Sequence, residues 1–78
     1  MIIYCFDLKT KDLESYNRIK RRFYYDLAKL SKHNFLWNTK SVICIDEAQE
    51  ALFDLFFLKY RENLALFKAR ASSMEQVY

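Results

Sequence analysis

The 78 residues allow one small domain, and a chain of this size buries only roughly 60–65% of the surface its unfolded form exposes, which excludes separate cofactor and substrate domains. Apolar residues make up 53% and aromatics 18%, the composition of a packed chain, while Gly and Pro are absent where roughly nine would be average; collagen-like repeats, glycine-rich phosphate loops and proline-rich ligands are excluded. The net charge of +3 is spread unevenly: residues 9–40 carry nine Lys and Arg against Asp12, Glu14 and Asp26, whereas residues 41–78 carry four against six acids, a pattern that predicts one basic face.

Residues 2–8, Ile-Ile-Tyr-Cys-Phe-Asp-Leu, predict a strand. The run is short, β-branched and aromatic, and it is apolar on both parities until Asp7, which marks a central strand. Thr10 and Asp12 offer caps for a helix over residues 12–31. Its apolar stripe is Leu13, Tyr16, Ile19, Phe23, Leu27 and Leu30, with steps of three and four. Arg18, Lys20, Arg21, Arg22 and Lys29 lie off that stripe. His33 and Asn34 close the helix, His33 as a capping residue and Asn34 because Asn tolerates the left-handed conformation.

Residues 35–38 and 41–45 predict two short strands joined by a tight turn over residues 38–40. Asp46 then caps a second helix running to about Tyr60, with Gln49 three positions on as capping-box partner. Ala48, Ala51, Leu52, Leu55 and Leu58 are the expected core stripe. Phe53, Phe56 and Phe57 widen it, and Glu47, Glu50 and Asp54 form the wet face. Residues 64–70 predict a last strand, and Ser72 with Glu75 a final helical turn.

The order is β-α-β-β-α-β, which predicts an α+β, ferredoxin-like sandwich: one domain over residues 1–78, four antiparallel strands in the order 4-1-3-2, both helices on one face. Neither parity of the central strands is polar, so the uncovered sheet face calls for a partner, either a second copy or a nucleic acid. Cys5 and Cys44 lie in apolar runs without metal-ligand spacing, which predicts a buried, reduced pair. No leader pattern opens the chain and no apolar run approaches about 18 residues, so a cytoplasmic location without a membrane is expected. Abundant Phe, Tyr, Asn, Ile and Lys suggest AT-rich coding and a mobile element.

Residues 3–8, Ile-Tyr-Cys-Phe-Asp-Leu, also resemble the first strand of an RNA recognition motif. Its third strand should carry a stacking aromatic, and residues 40–45, Lys-Ser-Val-Ile-Cys-Ile, carry none.

Another resemblance covers nearly the whole chain. The opening MIIYCFDLK with its lone Asp, Tyr16-Asn17 early in the first helix, the stretch Phe35-Leu36-Trp37-Asn38-Thr39-Lys40-Ser41-Val42-Ile43 and the ending Leu66-Phe67-Lys68-Ala69 together resemble virulence-associated protein D. That family is a structural relative of the second CRISPR-associated protein. The resemblance implies a ferredoxin-like homodimer and a metal-dependent endonuclease, acting on RNA more than on DNA, with Mg2+ or Mn2+ held by Asp7 as the catalytic carboxylate of each subunit. An Asp leaving a strand otherwise serves as a turn or cap residue. Lys9, Arg18, Arg21 and Arg22 are the candidate phosphate contacts. The other class of function open to the chain is a non-catalytic module that docks on nucleic acid or on a host complex.

Overall fold

The computed structural model describes the backbone of residues 1–30 and 36–78 and the side chains of residues 1–30 and 39–78. The chain is α+β. In order along it stand β1 (Ile2–Leu8), α1 (Leu13–Lys29), β2 (Leu36–Thr39), β3 (Val42–Ile45), a 3-10 turn (Glu47–Gln49) leading into α2 (Glu50–Leu58), a second 3-10 turn (Arg61–Asn63) and β4 (Leu64–Arg70). The strands are antiparallel and lie side by side as β2-β3-β1-β4. Among the described residues no helix is long and apolar enough to cross a membrane.

Alternation along β1 separates the two sheet faces. Ile2, Tyr4 and Phe6 are buried, and they pack with Phe23 and Leu27 of α1 and with Phe53, Phe56 and Phe57 of α2. Both helices therefore cover the same face. Ile3, Cys5 and Asp7 point the other way. Their neighbours across the ladders are Cys44 and Val42 on β3 and Ala69, Phe67 and Ala65 on β4. Cys5, Phe67 and Ala69 are exposed there, Phe67 at 70%, while Cys44 is buried, so the β1–β4 part of this second face is bare and largely apolar.

Asp12 caps α1, its carboxylate accepting from the Ser15 N–H at 2.8 Å. Asp46 does the same for the turn before α2, accepting from the Ala48 N–H at 3.1 Å. The core is mostly aromatic. Tyr4 and Phe57 ring centroids are 4.8 Å apart, Phe6 and Phe23 5.2 Å, and Phe23 meets Tyr60 edge-on at 5.1 Å. Such pairs are worth about 0.5–1.5 kcal/mol each beyond the area they bury. The two buried tyrosines keep their hydroxyls satisfied at the margin of the core. Tyr4 donates to Asp54 at 2.6 Å and Tyr60 to Asp26 at 2.5 Å.

Four expectations fail. On α2 the buried stripe is Phe53, Phe56, Phe57 and Tyr60, while Ala48, Ala51, Leu55 and Leu58 face solvent, Leu55 at 65% exposure. A helix that is apolar nearly all round turns its largest side chains inward, because burial scales with apolar area. Leu13, the first residue of α1, is exposed. Cys5 is exposed on the bare face and only Cys44 is buried, beside the Met1 thioether. Ser72 and Glu75 form no helical turn. The closing residues His33 and Asn34 lie outside the described residues.

On the helix side, edge strand β4 is tied down by charge. Lys68 Nζ donates to Glu50 at 2.7 Å and to Asp54 at 3.0 Å, and Arg70 grips both oxygens of Glu50. Arg70 first and Lys68 second hold the Glu50 carboxyl below its ordinary range.

Candidate functional site

Strand β1 outruns its partner. It pairs with β3 only from Ile2 to Cys5, after which the Phe6 N–H donates to the Ser41 carbonyl at 3.0 Å. Beyond that bond, the last residues of β1 have no β3 residue opposite them. The gap becomes a cleft of about 710 Å3. Phe6 and Leu8 form its floor. Tyr16, Lys20 and Tyr24 of α1, spaced four apart on one helix face, form a wall. Thr39, Lys40 and Ser41 of the β2–β3 turn form the rim, and Asp7 stands at the strand end.

Two bonds shape the rim. Tyr24 Oη donates to the Lys40 carbonyl at 2.6 Å, fastening the turn to α1, and the Ser41 N–H donates to Thr39 Oγ1 at 3.1 Å. Burial, with Tyr16 nearby, pushes the Tyr24 hydroxyl above its ordinary pKa, so it remains a neutral donor. Lys20 Nζ lies 5.8 Å from the centroid of the Tyr16 ring, within cation–π range. Asp7, Lys20 and Lys40 are all exposed. Lys20 and Lys40 line the cleft with tyrosine and hydroxyl-bearing residues, and Asp7 borders it at the strand end from a position whose side chain alternates to the opposite sheet face.

The five residues picked from the sequence are not brought together. Asp7 lines the cleft. Arg21 borders a neighbouring hollow of about 590 Å3 that shares Lys20 and Tyr24 with it. Arg22 is on the opposite flank of α1, in a hollow of about 180 Å3 with Asp26, Lys59 and Tyr60. There burial and the bond to Asp26 push Tyr60 up to about 12, while Arg22 opposes them. Arg18 is exposed and lies outside the lining of the cleft, as does Lys9, whose backbone N–H donates to the Asn63 carbonyl at 2.7 Å.

Charge counting and motif patterns do not mark Lys20, Lys40, Tyr16 and Tyr24 as site residues. Their signals are the spacing of four along α1 and the antiparallel pairing of β3 with β1, which sets the β2–β3 turn beside the end of β1.

Among the described residues no group of three or more His, Cys, Asp or Glu converges. A hard divalent cation of the magnesium type is commonly held by one or two carboxylates, keeping water and phosphate oxygens as its other ligands. Asp7 is exposed and could supply one such carboxylate. In comparisons with family models, curated proteins and solved structures, the chain matches none.

Proposed function

We propose that the chain is a ferredoxin-like, metal-dependent endonuclease that acts on RNA as a homodimer, with Asp7 holding Mg2+ or Mn2+. The observation that carries this reading is the place of Asp7: an exposed acid at the end of β1, where the strand borders an open cleft lined by two lysines. A carboxylate and ammonium groups around one strand end are elements that phosphodiester chemistry uses. A bound divalent ion supplies Lewis acidity at a phosphate oxygen and eases deprotonation of water. Asp7 holds and orients that ion. Lys20 and Lys40 offset the phosphate charge, and Tyr24 keeps the turn that carries Lys40 in position. The bare apolar sheet face, with Phe67 most exposed, supplies the surface on which a second copy packs, and the two copies together contribute two Asp7 carboxylates.

The test is Asp7→Asn, which keeps the shape and removes the charge. The wild type is expected to cut single-stranded RNA with magnesium or manganese and to stop with chelator. The variant is expected to fold, dimerise and bind, with cleavage slower by about 100-fold or more. Equal cleavage by both proteins overturns the assignment of Asp7. A second reading, a binding module without catalysis, draws on the tyrosine and lysine lining, which serves stacking and phosphate contact with no metal. RNA binding by wild type with no cleavage under any divalent ion selects it.

A further inference from the structure

We propose that the cleft at the end of β1 seats one nucleotide of a single strand, its phosphate between Lys20 and Lys40 and its base against the Tyr16 ring. The inference deepens the reading of this cleft as a nucleic-acid site and rests on it. A volume of about 710 Å3 falls within the range of small-molecule sites, about 300–1,000 Å3. The charges select an anion: Lys20 lines the cleft from α1 and Lys40 from the turn, while Asp7 is the one acid among the described lining residues.

The aromatic wall selects what the anion is attached to. Tyr24 is committed to the turn through its bond to the Lys40 carbonyl. Tyr16 is half-buried, and its ring already has the Lys20 ammonium 5.8 Å from its centroid. A phosphate on Lys20 therefore brings the group it carries alongside that ring, which is the geometry of a stacked base. Thr39 and Ser41, exposed on the same rim, add hydroxyls that meet a polar sugar or base edge. The site also accounts for why Arg18 and Arg22 stand apart: the strand is gripped at the turn, and the far flank of α1 stays clear of it.

Binding is measured in chelator, so that it is read apart from cleavage. Uridine 5′-monophosphate, uridine, inorganic phosphate and a short oligouridylate are titrated separately, following the backbone amide resonances of the protein. The monophosphate is expected to shift Phe6, Tyr16, Lys20 and Ser41, and the oligonucleotide to shift the same set. Uridine and phosphate alone are expected to bind at least about tenfold more weakly, because each keeps only half of the contacts. Lys20→Gln and Lys40→Gln each weaken the monophosphate about tenfold, the loss of one charge-assisted contact, and Tyr16→Ala weakens it by a similar factor. Both lysines are exposed, and resonances outside the cleft report whether each variant keeps its fold.

Phosphate binding as tightly as the monophosphate removes the base from the proposal, and shifts confined to residues outside the cleft overturn it altogether. So does unchanged affinity in a folded Lys20→Gln, Lys40→Gln double variant. The two readings fail separately: Asp7-dependent cleavage without nucleotide binding in the cleft leaves the nuclease and removes this seat, whereas nucleotide binding without cleavage does the reverse.

Discussion

Replacing Tyr4 by Phe deletes one hydroxyl from the centre of β1 and nothing else. Tyr4 is fully buried, its ring packed against Phe57 and Phe53. Its hydroxyl lies 2.6 Å from Asp54 and 3.3 Å from the Glu50 carbonyl. A hydrogen bond to a charged group contributes about 1.5–3 kcal/mol. Asp54 is 44% exposed at its side chain and keeps Lys68 as partner, so water and lysine recover part of that loss. The expected destabilisation is about 1–2 kcal/mol. For a domain of this size that corresponds to a fall in Tm of about 5–15 °C, read by circular dichroism at pH 7.

The same hydroxyl gives an alkaline signature. Burial first, then Asp54 and Glu50, raise its pKa above the ordinary value of 10.0. The folded chain holds a proton that the unfolded chain releases, so this stabilisation is complete below about pH 10 and is lost as pH rises through the folded value. The difference in Tm between wild type and Tyr4→Phe should accordingly be smaller at pH 11 than at pH 7. Equal Tm values at pH 7 would refute the argument, because the bond to Asp54 would then contribute nothing to the fold.

Other outcomes follow from the same structure. Leu55→Glu should leave stability within about 0.5 kcal/mol, whereas Phe56→Ala, one position on, should cost about 3–5 kcal/mol in urea unfolding. Phe67→Lys should keep the monomer fold and abolish the proposed dimer, seen as a 9.5 kDa species in light scattering. Lowering the pH through the depressed Glu50 pKa should release β4, because that stabilisation is present above about 4.5 and lost below the folded value; Glu50→Gln should remove this acid step from a pH titration of the β4 amides. Removing Lys20 and Lys40 together should flatten the salt dependence of RNA binding by about 1.4 in log–log slope, the share of two phosphate contacts on a single strand, and Arg22→Gln should leave the slope unchanged.

Local chemistry made much of this architecture legible. Asp12 and Asp46 sit where capping requires a short acceptor, and β4 occupies residues 64–70 as expected. Two of the failures, on α2 and on β1, are of one kind. In α2 two apolar stripes overlap, and only the area gained by burying rings decides between Leu55 and Phe56. On β1 both parities are apolar, and what separates exposed Cys5 from buried Tyr4 is the position of two helices distant in sequence. The site was half legible for the same reason. Charge counting found the basic segment but not its orientation, so Arg22 and Lys20, two residues apart, fall on opposite flanks of α1. Lys40 becomes a site residue only once β3 is known to run antiparallel beside β1.

Strand β4 also bears on how the chain reaches this state. Its ladder with β1 joins Ile2 to Arg70 and is the longer of the two that β1 makes. Such a pairing forms late, since the closure of a loop of some sixty residues precedes any reward. A one-residue slip at that moment would turn Phe67 under α2 and send Lys68 and Arg70 to the bare face. The acids waiting on α2 make the slipped alignment unfavourable, because Glu50 and Asp54 would then lose their cations to the far side of the sheet. The ionic cluster thus favours the native register over the slipped one. Neutralising Glu50 and Asp54 should slow recovery of native β4 by admitting misaligned intermediates, even under conditions where the finished fold remains stable.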